Sequence, residues 1–447
     1  MRAASRPSHG HSYVLRPVYA VICDQLLATT TCWIPVGCRS SIFNTAGGKP
    51  AGVLLGVYIV GAKRTPFGAM GGKLKDFTPT QMAVVAAKAA IESAGVKPEQ
   101  IDTCVVGIVN QMAAKDSTYC ARHTALQCGL PEKTPCLGVN RLCGSGFQSA
   151  VNGVQEILLG NAEIALTVGT ESMSLSPFVV RGTRFGVKFG LQPELECSLL
   201  TTLTDLHCKM PMAITAENLA VKYKISREDV DKFALRSQTR WAAAQAAGRF
   251  QEETAPITVK VKGKDEVFSI DEHPRPQSTL ESLAKLPAPF KKDGTVTAGN
   301  ASGICDGAGA ILIASEEAVS KYSLKPLARI VGYSYVGVDP TIMGIGPAPA
   351  IRKVCEKTGV QIDNVDLFDV NEAFASQFLA VERDLGLDPA KSNVNGGAIA
   401  LGHPVGASGS RILANLTYEL RHRKGKYAIG SACIGGGQGI AVMLASV

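Results

Sequence analysis

Four short segments hold residue types that could do chemistry. Cys143 lies in the run Asn140-Arg141-Leu142-Cys143-Gly144-Ser145-Gly146. An apolar, strand-like stretch precedes it and a helical pattern, Phe147–Leu159, follows. A cysteine at such a strand-to-helix turn faces the positive end of the helix dipole, which favours the thiolate. The flanking glycines would let backbone N–H groups approach a ligand. A small buried thiol beside a tight turn accounts for the same residues equally well.

His403 lies in Gly402-His403-Pro404, on a glycine-rich loop ahead of a helix that starts near Ser408. There it could serve as a general base, or simply as a hydrogen-bonded loop histidine. Cys433 closes the apolar run Tyr427–Ala432 and precedes Ile434-Gly435-Gly436-Gly437. Those glycines offer N–H groups to an oxyanion; an inert cysteine at a strand end is the alternative. Asn371-Glu372-Ala373-Phe374 ends the strand pattern Val365–Val370. Ligand-contacting residues gather at the carboxyl ends of strands in α/β sheets, although an Asn-Glu pair there also suits a helix cap.

The elements that must position these residues follow an α/β pattern. Val53–Val60 reads as a buried strand, Thr78–Gly95 as a helix with an N-terminal Thr-Pro and a closing glycine, and Ile101–Val109 as a second strand. The order strand–helix–strand argues for parallel βαβ units. Gly95-Val96-x5-Asp102, followed by an apolar strand, matches Gly359-Val360-x5-Asp366, followed by another. A second echo comes in the same order. Val139-Asn140 leads to Gly144-Ser145-Gly146, a helix and the strand Ile164–Gly169; Val394-Asn395 leads to Ala407-Ser408-Gly409, a helix and Tyr427–Ala432. Two echoes in order indicate a duplicated α/β domain. If the halves are related by a pseudo-two-fold axis, the Cys143 turn and the His403 loop both lie near it. Between the halves, about 172–292, charge is denser and prolines cluster. Helices are expected at Thr215–Tyr223 and at Arg227–Gly248, the latter capped by Ser226 and Asp229. This stretch reads as an insertion carrying binding function.

Composition narrows the setting. With 46% hydrophobic and 19% charged residues in a 447-residue chain, the protein reads as globular. No run of about 18 apolar residues occurs, so no membrane span is expected. The thirteen cysteines are scattered with no C-x-x-C, which favours a reduced compartment over disulfide stapling. A net charge of +8 without a basic arm is either a solvated surface or partly a receptor for an anionic ligand, and nothing points to nucleic acid. Residues 1–51 form a leader. Its first fifty residues hold four Arg and one Lys against the single acid Asp24, the composition of a mitochondrial presequence or of a gene-model artefact.

Asn-x-x-Cys-Gly-Ser-Gly, Asn-Glu-Ala-Phe-Ala, Gly-x-Ala-x-x-Leu-Gly-His-Pro-x-Gly-x-Ser-Gly and Cys-Ile-Gly-Gly-Gly resemble the signatures of the thiolase family, in thiolase order. The resemblance spans about 52–447 and extends, through Ala62–Gly68 and Thr297–Gly303, to the mitochondrial thiolases of fatty-acid β-oxidation. It implies two βαβαβαββ halves in a five-layer α-β-α-β-α arrangement: an N-terminal domain 52–317 with a coenzyme-A-binding loop domain inserted at about 172–292, and a C-terminal domain 325–447. It implies thiolytic cleavage of a 3-ketoacyl-CoA by coenzyme A in the mitochondrial matrix, with coenzyme A as co-substrate, no other cofactor and no metal. It also implies a homotetramer built as a dimer of dimers. The roles it carries over are Cys143 as nucleophile, His403 as its base and Cys433 as second acid/base. Asn371 would hold an oxyanion water, and the N–H of Gly435 would join that of Cys143 as oxyanion donors. Arg275 and Ser278 would meet the nucleotide end of coenzyme A, and Ser302 its pantetheine arm. An acetoacetyl-CoA thiolase running the condensation, or a non-catalytic lipid-binding relative, would carry the same fold.

Overall fold

The computed structural model describes residue 54 and residues 56–447. The leader 1–51 and Val53, the expected start of the first strand, lie outside the described residues. In the first half the chain forms β1 (Val57–Arg64), α1 (Pro79–Ala94), β2 (Thr103–Gly107), α2 (Cys120–Gln127), β3 (Cys136–Val139), α3 (Ser145–Leu158) and β4 (Ile164–Ser172). An insertion with α4 (Met212–Lys222) and α5 (Arg227–Ala246) follows, and then β5 (Cys305–Ser315). The second half comprises β6 (Ala328–Gly337), α6 (Pro347–Thr358), β7 (Leu367–Val370), α7 (Ala375–Leu385), α8 (Ser408–Arg423), β8 (Tyr427–Ile434) and β9 (Gln438–Ala445).

Local chemistry explains the boundaries. Thr78 and Gln81 cap α1 reciprocally, and Gly95 ends it at φ 67°. Ser226 and Asp229 do the same for the start of α5. β1 runs four residues beyond the apolar pattern because Arg64 does not have to reach solvent. Its guanidinium is buried between Glu253, 2.5 Å from Nε, and Asp271, 2.6 Å from Nη1. A paired and hydrogen-bonded charge can stand in a core strand where an unpaired one could not.

Paired strands follow the order β3-β2-β4-β5-β1-β6-β9-β8-β7. From the centre outward, the first half reads β1-β5-β4-β2-β3 and the second β6-β9-β8-β7. A parallel bridge from Phe368 to Ser392 then stands where β3 stands in the first half. In each half the last strand is antiparallel to both its neighbours, and the outer pairs are parallel. β1 and β6 join the two halves of the sheet through the pairs Tyr58–Arg329 and Ile59–Ala328.

The echoes seen in the sequence have structural causes. Gly95 and Gly359 both cap a helix in the left-handed region, at φ 67° and 70°. Asp102 Oδ2 accepts the N–H groups of Glu163 and Ile164, at 2.8 and 3.0 Å, and fixes the start of β4. Asp366 Oδ2 accepts those of Lys426 and Tyr427, at 2.7 and 3.0 Å, and fixes the start of β8.

Both sheet faces are covered, so the strands alternate between two cores rather than between core and solvent. On β5, Ala310 and Leu312 join α1 residues such as Met82 and Ala86 in one core. Ile311 and Ile313 face the other way, with Phe147 and Val151 of α3 and Ile412 and Leu416 of α8. On β9, Val442 and Leu444 share that central core, whereas Met443 packs with Val354 of α6 and Phe378 of α7. The layers therefore run α-β-α-β-α, with α3 and α8 as the middle layer.

Candidate active site

The two helices of the middle layer approach each other through glycines. A Cβ on Gly146 would lie 2.6 Å from Ser410 N, and one on Gly409 would meet the backbone N of Phe147. Gly146 thus lets the N-terminal turns of α3 and α8 meet, and so brings the Cys143 turn to the His403 loop.

Cys143 sits in a 3-10 turn, Leu142–Gly144, that runs into α3. Leu142 is held at φ 46°, which is costly for a side chain branched at Cγ. Three hydrogen bonds hold this turn: Leu142 N to Asn140 Oδ1 at 2.9 Å, Arg141 N to Ser145 Oγ at 2.9 Å, and Ser145 Oγ to Leu142 O at 2.7 Å. The cysteine packs on Val109, Met173, Leu199 and Val405. Burial pushes its thiol up to about 11, against the opposing pull of the N–H groups of Gly435 and of Cys143 itself. Desolvation is the largest influence on this thiol, larger than the two N–H groups that favour its anion.

His403 is 7% exposed. Its N–H donates to Gly303 O at 2.8 Å. Ser408 Oγ lies 2.5 Å from Nδ1 and donates its own hydrogen to Pro404 O at 3.2 Å. With the hydroxyl hydrogen committed, Nδ1 carries the ring proton and Nε2 keeps its lone pair. Asn371 Nδ2 points at that nitrogen from 3.3 Å. Burial, then the Arg411 charge, pushes the imidazole down to about 4, so the ring is a neutral base at physiological pH.

Asn371 follows β7, its N–H donating to Ser431 O at 2.9 Å. Its side chain is fully buried, and Oδ1 has no protein partner. The neighbouring Glu372 does not cap α7. Its carboxylate accepts from Ser237 Oγ, Asn393 Nδ2 and Ile399 N, tying the loops around the site together. Cys433, fully buried at the end of β8, lies against Met343 and Ala373. Burial, and Cys143 nearby, raise its thiol well above the ordinary value. The β8–β9 turn places Gly436 and Gly437 at φ 78° and 83°, conformations suited to glycine.

The coenzyme-A candidates stand apart from this cluster but connect to it. Arg275 is exposed, its guanidinium folded onto the carbonyls of His273 and Pro274 at 2.6 and 3.1 Å. Ser278 Oγ donates to Arg275 O at 2.7 Å. The ring of His273 packs on Gly303, and its Nδ1 is 2.8 Å from Ala400 O. Ser302 N donates to Ala373 O at 3.0 Å, one residue from the carbonyl that anchors His403. A path thus leads from the Arg275 turn through His273 and Gly303 to the base. Among the described residues no cluster of three or more potential metal ligands occurs, and no helix is long and apolar enough to cross a membrane.

One feature beside the site escaped the sequence reading. Ser408, whose Oγ lies against Nδ1 of His403, occupies the place in the second half that Ser145 holds in the first, and the repeat could have singled it out.

The chain matches the thiolase N-terminal domain over residues 57–317 and the thiolase C-terminal domain over 324–446. It is 61% identical over 392 residues to the mitochondrial 3-ketoacyl-CoA thiolase of Bos taurus, covering 88% of this chain and 98% of that protein. Over 392 residues it is 44% identical to an acetyl-CoA acetyltransferase of Syntrophomonas wolfei, covering 87% and 98%. The crystal structure of human mitochondrial 3-ketoacyl-CoA thiolase superimposes with a TM-score of 0.87 at 61% identity, covering 88% of this chain and 99% of that one. The same human enzyme in complex with CoA also gives 0.87, at 60% identity, covering 90% and 100%. With both domains matched in order and the Cys143 turn, the His403 loop and Cys433 gathered at the junction of two duplicated halves, this chain belongs to the thiolase family.

Proposed function

We propose that this chain is a 3-ketoacyl-CoA thiolase of fatty-acid β-oxidation in the mitochondrial matrix, an acyltransferase that uses coenzyme A as co-substrate and needs no other cofactor. The observation that carries the reading is the meeting of three groups between the halves: Cys143, packed on Val405 of the His403 loop; His403, with Asn371 Nδ2 3.3 Å from its Nε2; and Cys433, near enough to Cys143 to feel its charge.

His403 Nε2 takes the Cys143 proton as the sulfur attacks the 3-keto carbon. The C2–C3 bond breaks, its electrons leave as the enolate of acetyl-CoA, and acyl-Cys143 remains. The enolate oxygen is held by protonated His403 and by a water on Asn371, whose Oδ1 is free to accept from it. Cys433 gives its proton to the enolate carbon. The resulting thiolate, costly in so buried a place, takes the proton of incoming coenzyme A. The coenzyme A thiolate then attacks the acyl carbon, and the N–H groups of Cys143 and Gly435 receive the tetrahedral oxyanion. Collapse returns the proton from His403 to Cys143. A thioester is consumed and a thioester is formed, so cysteine neither gains nor loses much activation along the way.

In this reading Arg275 and Ser278 hold the nucleotide end of coenzyme A, and Ser302 holds the pantetheine arm. Arginine suits either a phosphate or the face of adenine. Domains 52–317 and 325–447, with an inserted loop domain at about 172–292, assemble as a tetramer of two dimers. The test is intact-protein mass spectrometry after mixing with a 3-ketoacyl-CoA, together with rates for a series of chain lengths. One acyl adduct, lost in Cys143→Ala, is expected, with turnover extending beyond four-carbon substrates. Turnover by Cys143→Ala sinks the mechanism, and activity confined to acetoacetyl-CoA replaces the β-oxidation role with the condensing one.

A further inference from the structure

Glu171 is a buried carboxylate, 1% exposed, that no step above uses. It stands near the end of β4. Its oxygens accept three backbone N–H groups from two distant segments: Val109 N at 3.1 Å and Gly406 N at 3.0 Å on Oε2, and Asn110 N at 3.0 Å on Oε1. Gly406 belongs to the loop between His403 and Ser408. Val109 O accepts from Asn140 Nδ2 at 3.3 Å, and Asn140 Oδ1 in turn holds Leu142 N beside the nucleophile. One carboxylate oxygen therefore closes a chain of hydrogen bonds from the Cys143 turn to the His403 loop.

We propose that Glu171 is a positioning residue for the thiolase reaction, its carboxylate clamping the loop of the base to the turn of the nucleophile. This rests on the assignment of Cys143 and His403 as nucleophile and base. Only a carboxylate fits the task. Ionised, above about pH 7, it accepts on both oxygens and donates nothing, whereas the amide of a glutamine would turn an N–H toward a backbone N–H at any pH. Gly406 is fitted to the clamp, since a Cβ there would lie 2.9 Å from Glu171 Oε2 and run into Thr170 O. The location also costs stability. Burial pushes the Glu171 carboxyl up to about 7, with the three N–H groups opposing and Asp306 on β5 adding to the rise. Cys143 and Cys120 on α2 both sense its charge. The carboxylate has three N–H groups and no cation among its hydrogen-bond partners, and it stands between the segments that carry Cys143 and His403.

The experiment compares Glu171→Gln and Glu171→Asp with the native full chain in steady-state thiolysis and in the thermal unfolding midpoint. Misplacing reacting groups by about 1 Å costs on the order of 100-fold. Glu171→Gln is therefore expected to lose roughly 10- to 100-fold in kcat while KM for coenzyme A stays within about threefold, because the Arg275 turn is not touched. Glu171→Asp keeps both acceptors on a shorter arm and should recover part of the loss. The proposal is overturned if kcat of Glu171→Gln equals that of the native chain. It is also overturned if kcat, KM and the folded fraction fall together with no recovery in Glu171→Asp. If Glu171→Gln does not fold, Glu171→Asp decides alone: a reduced kcat at unchanged KM supports the clamp, and an unchanged kcat overturns it. Cys143→Ala in parallel separates the two ideas. If it is inactive while Glu171→Gln is fully active, only the clamp fails; if it turns over, the mechanism beneath the clamp fails.

Discussion

The resting state of Cys143 can be tested by alkylation. A thiol near 11 is ionised in about one molecule per thousand at pH 8. An ordinary cysteine, near 8.5, is ionised in roughly one in four at the same pH, about 240 times more. Part of this is returned, because a more basic thiolate is a better nucleophile. With a Brønsted slope of about 0.45, a rise of about 2.5 units gives back roughly 13-fold. The net expectation is that iodoacetamide alkylates Cys143 about 20 times more slowly than a free thiol at pH 8. Its rate should go on rising tenfold per pH unit past pH 9. The sign follows from the cause: burial penalises the anion, so ionisation is deferred to high pH. The measurement is the rate of appearance of the carbamidomethylated Cys143 peptide by mass spectrometry between pH 6 and 10.5, with a small-molecule thiol in the same tube as reference. His403 should add no step above about pH 5, since its imidazole is held near 4. A plateau already reached at or below pH 8 would refute the reasoning, because it would mean a preformed Cys143 thiolate paired with a protonated His403.

Three further outcomes are expected. Ser408→Ala removes the hydroxyl that faces Nδ1; a buried donor left unpaired costs about 1–3 kcal/mol, so kcat should fall roughly 5- to 150-fold with KM for coenzyme A unchanged, and an unaltered kcat would remove the tautomer lock. Cys433→Ser should slow both acyl transfer and its reverse while leaving Cys143 open to alkylation; equal rates in either direction would take Cys433 out of the mechanism. Gly146→Ala puts a methyl group against the backbone N of Ser410, an overpacking worth about 1–3 kcal/mol, and should lower both the unfolding midpoint and kcat; a native midpoint would show that α3 and α8 can separate without cost.

Much of this architecture was legible because its causes are local. The left-handed glycines at 95 and 359 and the strand-anchoring Asp102 and Asp366 are each fixed by a few neighbouring residues, so they recur at the same spacing in both halves and betray the duplication. Strand ends were less legible. β1 continues to Arg64 only because Glu253 and Asp271, far along the chain, bury its charge, and no window around Arg64 contains them. Ionisation was the least legible. A helix end beside Cys143 can be read from a motif, but the burial that raises its thiol depends on packing against Val109, Met173, Leu199 and Val405, four residues on separate segments.

The same distinction explains how a duplicated fold comes to hold a site that is not duplicated. Both halves offer a small residue, a serine and a glycine at the start of a middle-layer helix: Gly144-Ser145-Gly146 and Ala407-Ser408-Gly409. The glycines do the same work in both, letting one helix end rest on the other. The serines have diverged. Ser145 Oγ is spent on its own turn, donating to Leu142 O and accepting from Arg141 N, and so supports the strained backbone ahead of Cys143. Ser408 Oγ turns instead to an imidazole and decides which nitrogen is the base. Symmetry accounts for the closeness of the two helix ends, and the departure from symmetry accounts for one end carrying an acid thiol and the other its acceptor. In the proposed reaction the proton of Cys143 crosses the axis to His403 and returns at the end of the cycle, and that exchange requires the asymmetry of a nucleophile on one side and a base on the other.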